Sequence, residues 1–147
     1  MKIEVIDGSA KNWQEAIGLT AHALFEKGYV KTSFKEGCID REKQFPTGLN
    51  TPIPIAIPHT ESEHVNCSAV CILRLKQPCV FMNMEDPNQS VSVQYVLNLA
   101  IHDKREHIQV LSKIIRMFQN DEFLKKISSI NIDDLKTAIV EYISSEH

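Results

Sequence analysis

The segment IAIPHTESEH, residues 55 to 64, ends a short apolar run on Pro58 and places an imidazole directly after it at His59, with another at His64. Proline fixes its own φ and holds the preceding Ile57 in extended geometry, so the His59 ring is carried on a stiff backbone at the sheet edge. A stiffly held neutral imidazole suits nucleophilic work, in which the lone pair of one ring nitrogen must meet an electrophile in line. The bland alternative, a surface histidine with no chemical task, is the commoner meaning of one such residue. His107 is the second candidate. It falls in the first turn of the helical segment after YVLNLAIH, where backbone N–H groups and the helix dipole favour an anion. Residue type alone leaves the bland reading open for His107, His64 and His102 as well. His22 faces along a helix and His147 is the last residue of the sequence, and neither is a candidate.

Other chemistries find less support. No HExxH or HxH pattern occurs, and the spacing of His59 and His64 has no helix-face rationale, so a metal site is not expected. Cys38, Cys67, Cys71 and Cys79 contain no CxxC pair and read as buried free thiols, the last three sharing the parity that points strand residues into one apolar layer. A GxSxG elbow is absent, as is a cysteine in a turn beside a histidine, which argues against serine and cysteine hydrolases.

The composition narrows the classes further. The 147 residues, 43% apolar and 24% charged, fit a single globular domain over 1–147 with a core that needs neither disulfide nor structural metal. Sixteen Lys plus Arg against 19 Asp plus Glu give a net charge of −3, without the basic excess that nucleic-acid binding requires. No apolar run approaches the roughly 20 residues of a membrane helix, and MKIEVIDGSA is no signal peptide, so a cytoplasmic chain with no membrane insertion is expected.

The elements that must position these residues are legible in the periodicity. Trp13, Ala16, Ile17, Thr20, Ala21, Leu24 and Phe25 fall on one helical stripe, with Ser9 or Asn12 as cap and Gly28 as stop. A second helix over TSFKEGCIDREKQFP has a capping box of Ser33 and Glu36, ends at Pro46, and carries Arg41 near its C-terminal end. Strands are expected at IPIAI, CSAVCILRL, CVFM and VSVQYVLNLAIH, the third and fourth separated by the acidic turn MEDPNQS. His107, Ile108, Leu111, Ile114, Ile115 and Phe118 then form a helical stripe, followed by a short helix at DEFLKKI and a last one at NIDDLKTAIVEYI capped by Asn131. Helices at both ends with strands between them imply an α/β fold, a single-layer mixed sheet of about five strands flanked by helices on both faces.

DREKQFPTGLNTPIPIAIPHT, the later EHIQVLSKI and the order of elements resemble the enzyme IIA domain of the fructose and mannitol class in the bacterial sugar phosphotransferase system. The resemblance runs from about Ala10 to Ile143, and FPTGL is similar to the galactitol-type branch. It implies a phosphocarrier in which His59 accepts a phosphoryl group through Nε2 from the phosphohistidine of the carrier HPr. The group then passes to a cysteine of enzyme IIB, and through it serves the membrane enzyme IIC and the uptake of a sugar or polyol. It also implies that His107 stabilises the phosphoryl group, that Arg41 neutralises its charge, and that no cofactor beyond the covalent phosphohistidine is needed. Thr60 departs from the family, which usually has a small residue after the active histidine; its hydroxyl is a candidate phosphoryl contact. Docking of HPr implies an apolar ring around His59, with Glu61 and Glu63 facing a basic partner surface. The other readings are a regulatory module whose His59 phosphorylation is read by a partner protein, and a catalytically silent domain.

Overall fold

A computed structural model describes residues 1–145; His147, set aside above, and the end of the expected 1–147 domain lie outside the described residues. The elements in chain order are β1 (Lys2–Gly8), α1 (Trp13–Glu26), α2 (Phe34–Gln44), β2 (Gly48–Leu49) and β3 (Ile55–Ala56). They are followed by a 3-10 turn (Ser62–His64), β4 (Ala69–Met82), β5 (Ser90–Ala100), α3 (Lys104–Met117), α4 (Asp121–Ile127) and α5 (Ile132–Ser144).

The five strands form one mixed sheet in the order β1-β4-β5-β3-β2. β1 runs parallel to β4 and β3 parallel to β5, while β4 with β5 and β2 with β3 are antiparallel. Both faces of the sheet are covered, which is why β4 and β5 read as near-continuous apolar runs. Val70 and Ile72 pack with Leu97, Leu99 and the apolar stripes of α3, α4 and α5. The alternate residues Ala69 and Cys71 pack with Ile17, Leu24, Phe34 and Cys38 of α1 and α2. The expected α/β architecture is therefore the observed one.

Several local expectations differ. CSAVCILRL and CVFM are one strand, β4, whose pairing with β5 is interrupted by an irregularity between Arg74 and Cys79. The Lys-Gln-Pro stretch there interrupts the hydrophobic run without ending the strand. β1 was not expected, because its acids Glu4 and Asp7 blur the alternation of a strand that lies at the edge of the sheet. Asp7 accepts two hydrogen bonds from its register partner Arg74, at 2.6 and 2.9 Å. Phe25 and Ile108 stand out of their helical stripes, 44% and 67% exposed. Asn12, and not Ser9, caps α1 by accepting from the Glu15 N–H, and Gly28 with φ of 78° ends it as expected. Ser33 makes no cap bond: its hydroxyl pairs with His64 Nδ1 at 2.7 Å, so the capping box does not form. Cys38, Cys71 and Cys79 are buried free thiols, whereas Cys67, just before β4, is only half-buried.

Candidate functional site

His59 follows the C-terminal end of β3, an interior strand between β2 and β5 and not the sheet edge. The Pro58 carbonyl accepts the Leu99 N–H of β5 at 3.0 Å, which pins the turn carrying the ring. The ring itself bonds back to its own chain, with His59 Nδ1 lying 2.9 Å from the Ile57 carbonyl oxygen. A carbonyl oxygen can only accept, so Nδ1 carries the proton and Nε2 holds the lone pair. Burial depresses the imidazole to about 4, helped by the positive side of His107 and Arg41 and opposed by the Ile57 carbonyl. At neutral pH His59 is therefore an uncharged imidazole of defined tautomer.

His107, Arg41 and Thr60 line the same cleft, together with Glu61, Lys104 and the exposed Ile108. His107 stands with its ring centroid 4.8 Å from that of His59, edge to face at 69°. Burial and the Arg41 charge lower its pKa below the usual imidazole value. Arg41, in the last turn of α2, places its guanidinium carbon 5.3 Å from the Phe45 ring centroid. Its Nη1 lies 3.4 Å from Glu61 Oε1, and its buried Nε makes no hydrogen bond. The Thr60 hydroxyl donates to Glu61 Oε2 at 2.8 Å. Glu61 is held below the usual carboxylate range, first by that hydroxyl. Its carboxylate thus meets two of the cleft's donors while its side chain stays 60% exposed, and the Glu63 side chain is 76% exposed.

The helix terminus near His107 contributes less than its position suggests. The Asp103 side chain already accepts from the Arg105 and Glu106 N–H groups, and the Asp103 carbonyl accepts the His107 N–H at 2.9 Å. Three N–H groups at the start of α3 are thus already taken. His102 lines the cleft without a bond to His59, while His64 is engaged by Ser33, and His22 pairs with Glu26 at 3.6 Å on the surface of α1.

A stiffly mounted neutral imidazole beside a second imidazole, a guanidinium and a hydroxyl is equipped to hold a small dianion at one ring nitrogen. Comparison with known proteins agrees with that chemistry. The model of the family "Phosphoenolpyruvate-dependent sugar phosphotransferase system, EIIA 2" matches residues 2–145. The chain belongs to this family. It is thereby a phosphotransferase component of the enzyme IIA type. The galactitol-specific EIIA component of Escherichia coli (strain K12) is 26% identical over 130 residues, 88% of this chain and 86% of that protein. The transcriptional regulator ManR of Bacillus subtilis (strain 168) is 30% identical over 119 residues, 81% of this chain but 17% of the regulator. Among solved structures, the complex of enzyme IIAMTL and phosphorylated enzyme IIBMTL from Escherichia coli matches with a TM-score of 0.76. Identity there is 22%, over 96% of this chain and 94% of that one, so the likeness is one of fold.

Two residues of this EIIA chain were not singled out from the sequence. Glu42, next to Arg41 on α2, is buried, and its two oxygens accept from the Thr47 N–H at 2.7 Å and the Thr47 hydroxyl at 2.9 Å. Burial raises the carboxyl to about 7 against the pull of those bonds. Thr47 in turn accepts the Ile57 N–H at 3.0 Å. The signal for both lay inside REKQFPTGL, where a charged residue in a polar helix looks like part of a solvated face.

Proposed function

We propose that this chain is a phosphocarrier that takes a phosphoryl group onto His59 Nε2 from phospho-HPr and gives it to a cysteine of an enzyme IIB. The observation that carries the reading is the His59 ring: Nδ1 is committed to the Ile57 carbonyl, and the ring lines a cleft with His107 and Arg41. In the first step the Nε2 lone pair attacks phosphorus, the donor's N–P bond breaks, and its electron pair returns to the donor imidazole. In the second step a thiolate attacks the phosphohistidine, and the Nε2–P electron pair returns to His59. Nδ1 keeps its proton throughout, and the Ile57 carbonyl stabilises the ring while phosphorus is attached. His107, Arg41 through its unspent Nε–H, and the Thr60 hydroxyl, once released from Glu61, receive the phosphoryl oxygens. A charge pair at about 4 Å gains on the order of 4 kcal/mol at an effective dielectric of 20. The covalent N–P bond itself carries the group, and the reading calls for no other cofactor.

The protein partners would meet this face in the cytoplasm, with Ile108, 67% exposed, as an apolar contact at the cleft and Glu63 as an outward charge. The galactitol-specific relative supports a polyol as the cargo of the associated membrane enzyme IIC. Incubating the chain with phosphoenolpyruvate, enzyme I and HPr should add one acid-labile phosphoryl group by mass spectrometry, absent in His59→Ala. No addition to the wild type would overturn the reading. The match to part of a transcriptional regulator favours one second reading, a regulatory module whose phosphorylation is read by a partner protein. Transfer from the phosphorylated chain to an enzyme IIB cysteine separates the two.

A further inference from the structure

His59 owes its tautomer to the Ile57 carbonyl, and Ile57 is itself held from beneath. Its N–H is the first backbone amide past β3, and it is taken up by a side chain, the Thr47 hydroxyl, at 3.0 Å. That hydroxyl also contacts both Glu42 oxygens, at 2.9 and 3.2 Å. Glu42, Thr47 and Ile57 are 5%, 4% and 0% exposed, so none of these groups can turn to water for a replacement partner.

The polarity of the chain of bonds runs one way. An ionised carboxylate only accepts, so the Thr47 hydroxyl must spend its hydrogen on Glu42 and offer a lone pair to Ile57. Ile57, bounded by that anchor and by Pro58, presents its carbonyl to His59 Nδ1 at 2.9 Å.

We propose that Glu42 and Thr47 are positioning residues for His59, fixing through Ile57 both the place of the ring and the nitrogen that carries its proton. The consequence for phosphoryl transfer rests on the acceptor reading of His59, whereas the positioning itself does not. Loss of the anchor leaves the ring free to exchange tautomers and shifts Nε2 from its line of approach, and a displacement of about 1 Å is enough for a 100-fold loss of rate.

The test reads the ring directly. Two-bond proton–nitrogen correlations of the histidine rings, in the full chain at pH 8.5 where Glu42 is ionised, report which His59 nitrogen carries the proton. The wild type should show the Nδ1–H form. Thr47→Val and Glu42→Gln should each show a several-fold larger share of the Nε2–H form, with Thr47→Ser restoring the wild-type pattern. Folded Thr47→Val and Glu42→Gln chains with the wild-type tautomer would overturn the proposal, as would an Nε2–H form in the wild type. Should Thr47→Val not fold, Glu42→Gln decides; collapse of both assigns the two residues to the fold alone and also overturns it. No phosphoryl donor enters the measurement, so failure of His59 to accept a phosphoryl group would be a separate result.

Discussion

The imidazole rings of His59 and His107 lie 4.8 Å apart, edge to face at 69°. Two imidazolium rings at that distance, with Arg41 beside them, would repel one another. Both are depressed, His59 to about 4, with burial as the first cause in each case.

That depression has a stability cost with a definite sign. The folded pKa of His59 lies below the ordinary value of 6.5, so between about 4 and 6.5 the unfolded chain binds the proton more readily. Its contribution is intact above 6.5 and is lost as pH falls through that window. The loss amounts to on the order of 3 kcal/mol. Denaturant unfolding at pH 7.5 and at pH 4.5 should show it for the wild type and a markedly smaller loss for His59→Gln, which has no ring to charge. Equal acid losses in both would mean that His59 is solvated.

Arg41 makes the next prediction. Its Nη1 contact with Glu61 is long, at 3.4 Å between side chains 35% and 60% exposed, so it contributes little to stability. Arg41→Met should leave the unfolding free energy within about 1 kcal/mol of the wild type. Phosphorylation of His59 should nevertheless slow about 100-fold or more, as when one oxyanion donor is removed. Arg41→Lys should fall between, having the charge without the planar fork. Single-turnover rates with phospho-HPr check this, and wild-type rates in both variants would remove Arg41 from the site.

The chain's physics was legible in uneven measure. Helices α1, α3 and α5 repeat their apolar residues at the period of their structure, and a both-faces-buried sheet follows from near-continuous runs such as VSVQYVLNLA in β5. The His59, His107 and Arg41 assembly could be anticipated only through resemblance, because they come from the turn after β3, from α3 and from α2, and no local spacing joins them. What stayed hidden depends on which way a side chain turns. Ser33 could have capped α2 but binds His64, and Glu61, though 60% exposed, also meets Thr60 and Arg41 inside the cleft. Glu42 has the composition of a surface residue and the environment of a core one, a distinction that only packing makes.

Glu61 occupies donors that the proposed function assigns to an incoming phosphoryl group. Its Oε2 takes the Thr60 hydroxyl and its Oε1 lies closest to Arg41 Nη1. Neutralising the carboxylate removes an internal competitor, so Glu61→Gln should bind inorganic phosphate several-fold more tightly than the wild type, followed by shifts of the Arg41 Nε–H signal. Glu63→Gln, altering an outward carboxylate, should match the wild type. A tightening of equal size in both variants would point to general charge and not to competition within the cleft.

Gly37 tests how tightly Thr60 is held. Alanine in place of glycine inside a helix ordinarily stabilises by about 0.5–1 kcal/mol. A Cβ at Gly37 of α2, however, would stand 2.8 Å from Thr60 Oγ1 and 3.2 Å from Thr60 Cγ2. Thr60 is 8% exposed and its hydroxyl is bound to Glu61, so it has little room to swing aside. The sign should therefore reverse, with Gly37→Ala costing about 1–3 kcal/mol as overpacking does. Gly18→Ala in α1 is the control, because its Cβ meets only the flexible Lys35 side chain at 3.5 Å and should stabilise. Thr60→Ala removes the two closest opposing atoms and leaves His64 Cδ2 at 3.3 Å, so a double-mutant cycle should give a coupling of about 1 kcal/mol or more between positions 37 and 60. Additive effects would show that Thr60 moves freely, and its hydroxyl could not then be a fixed contact for the phosphoryl group.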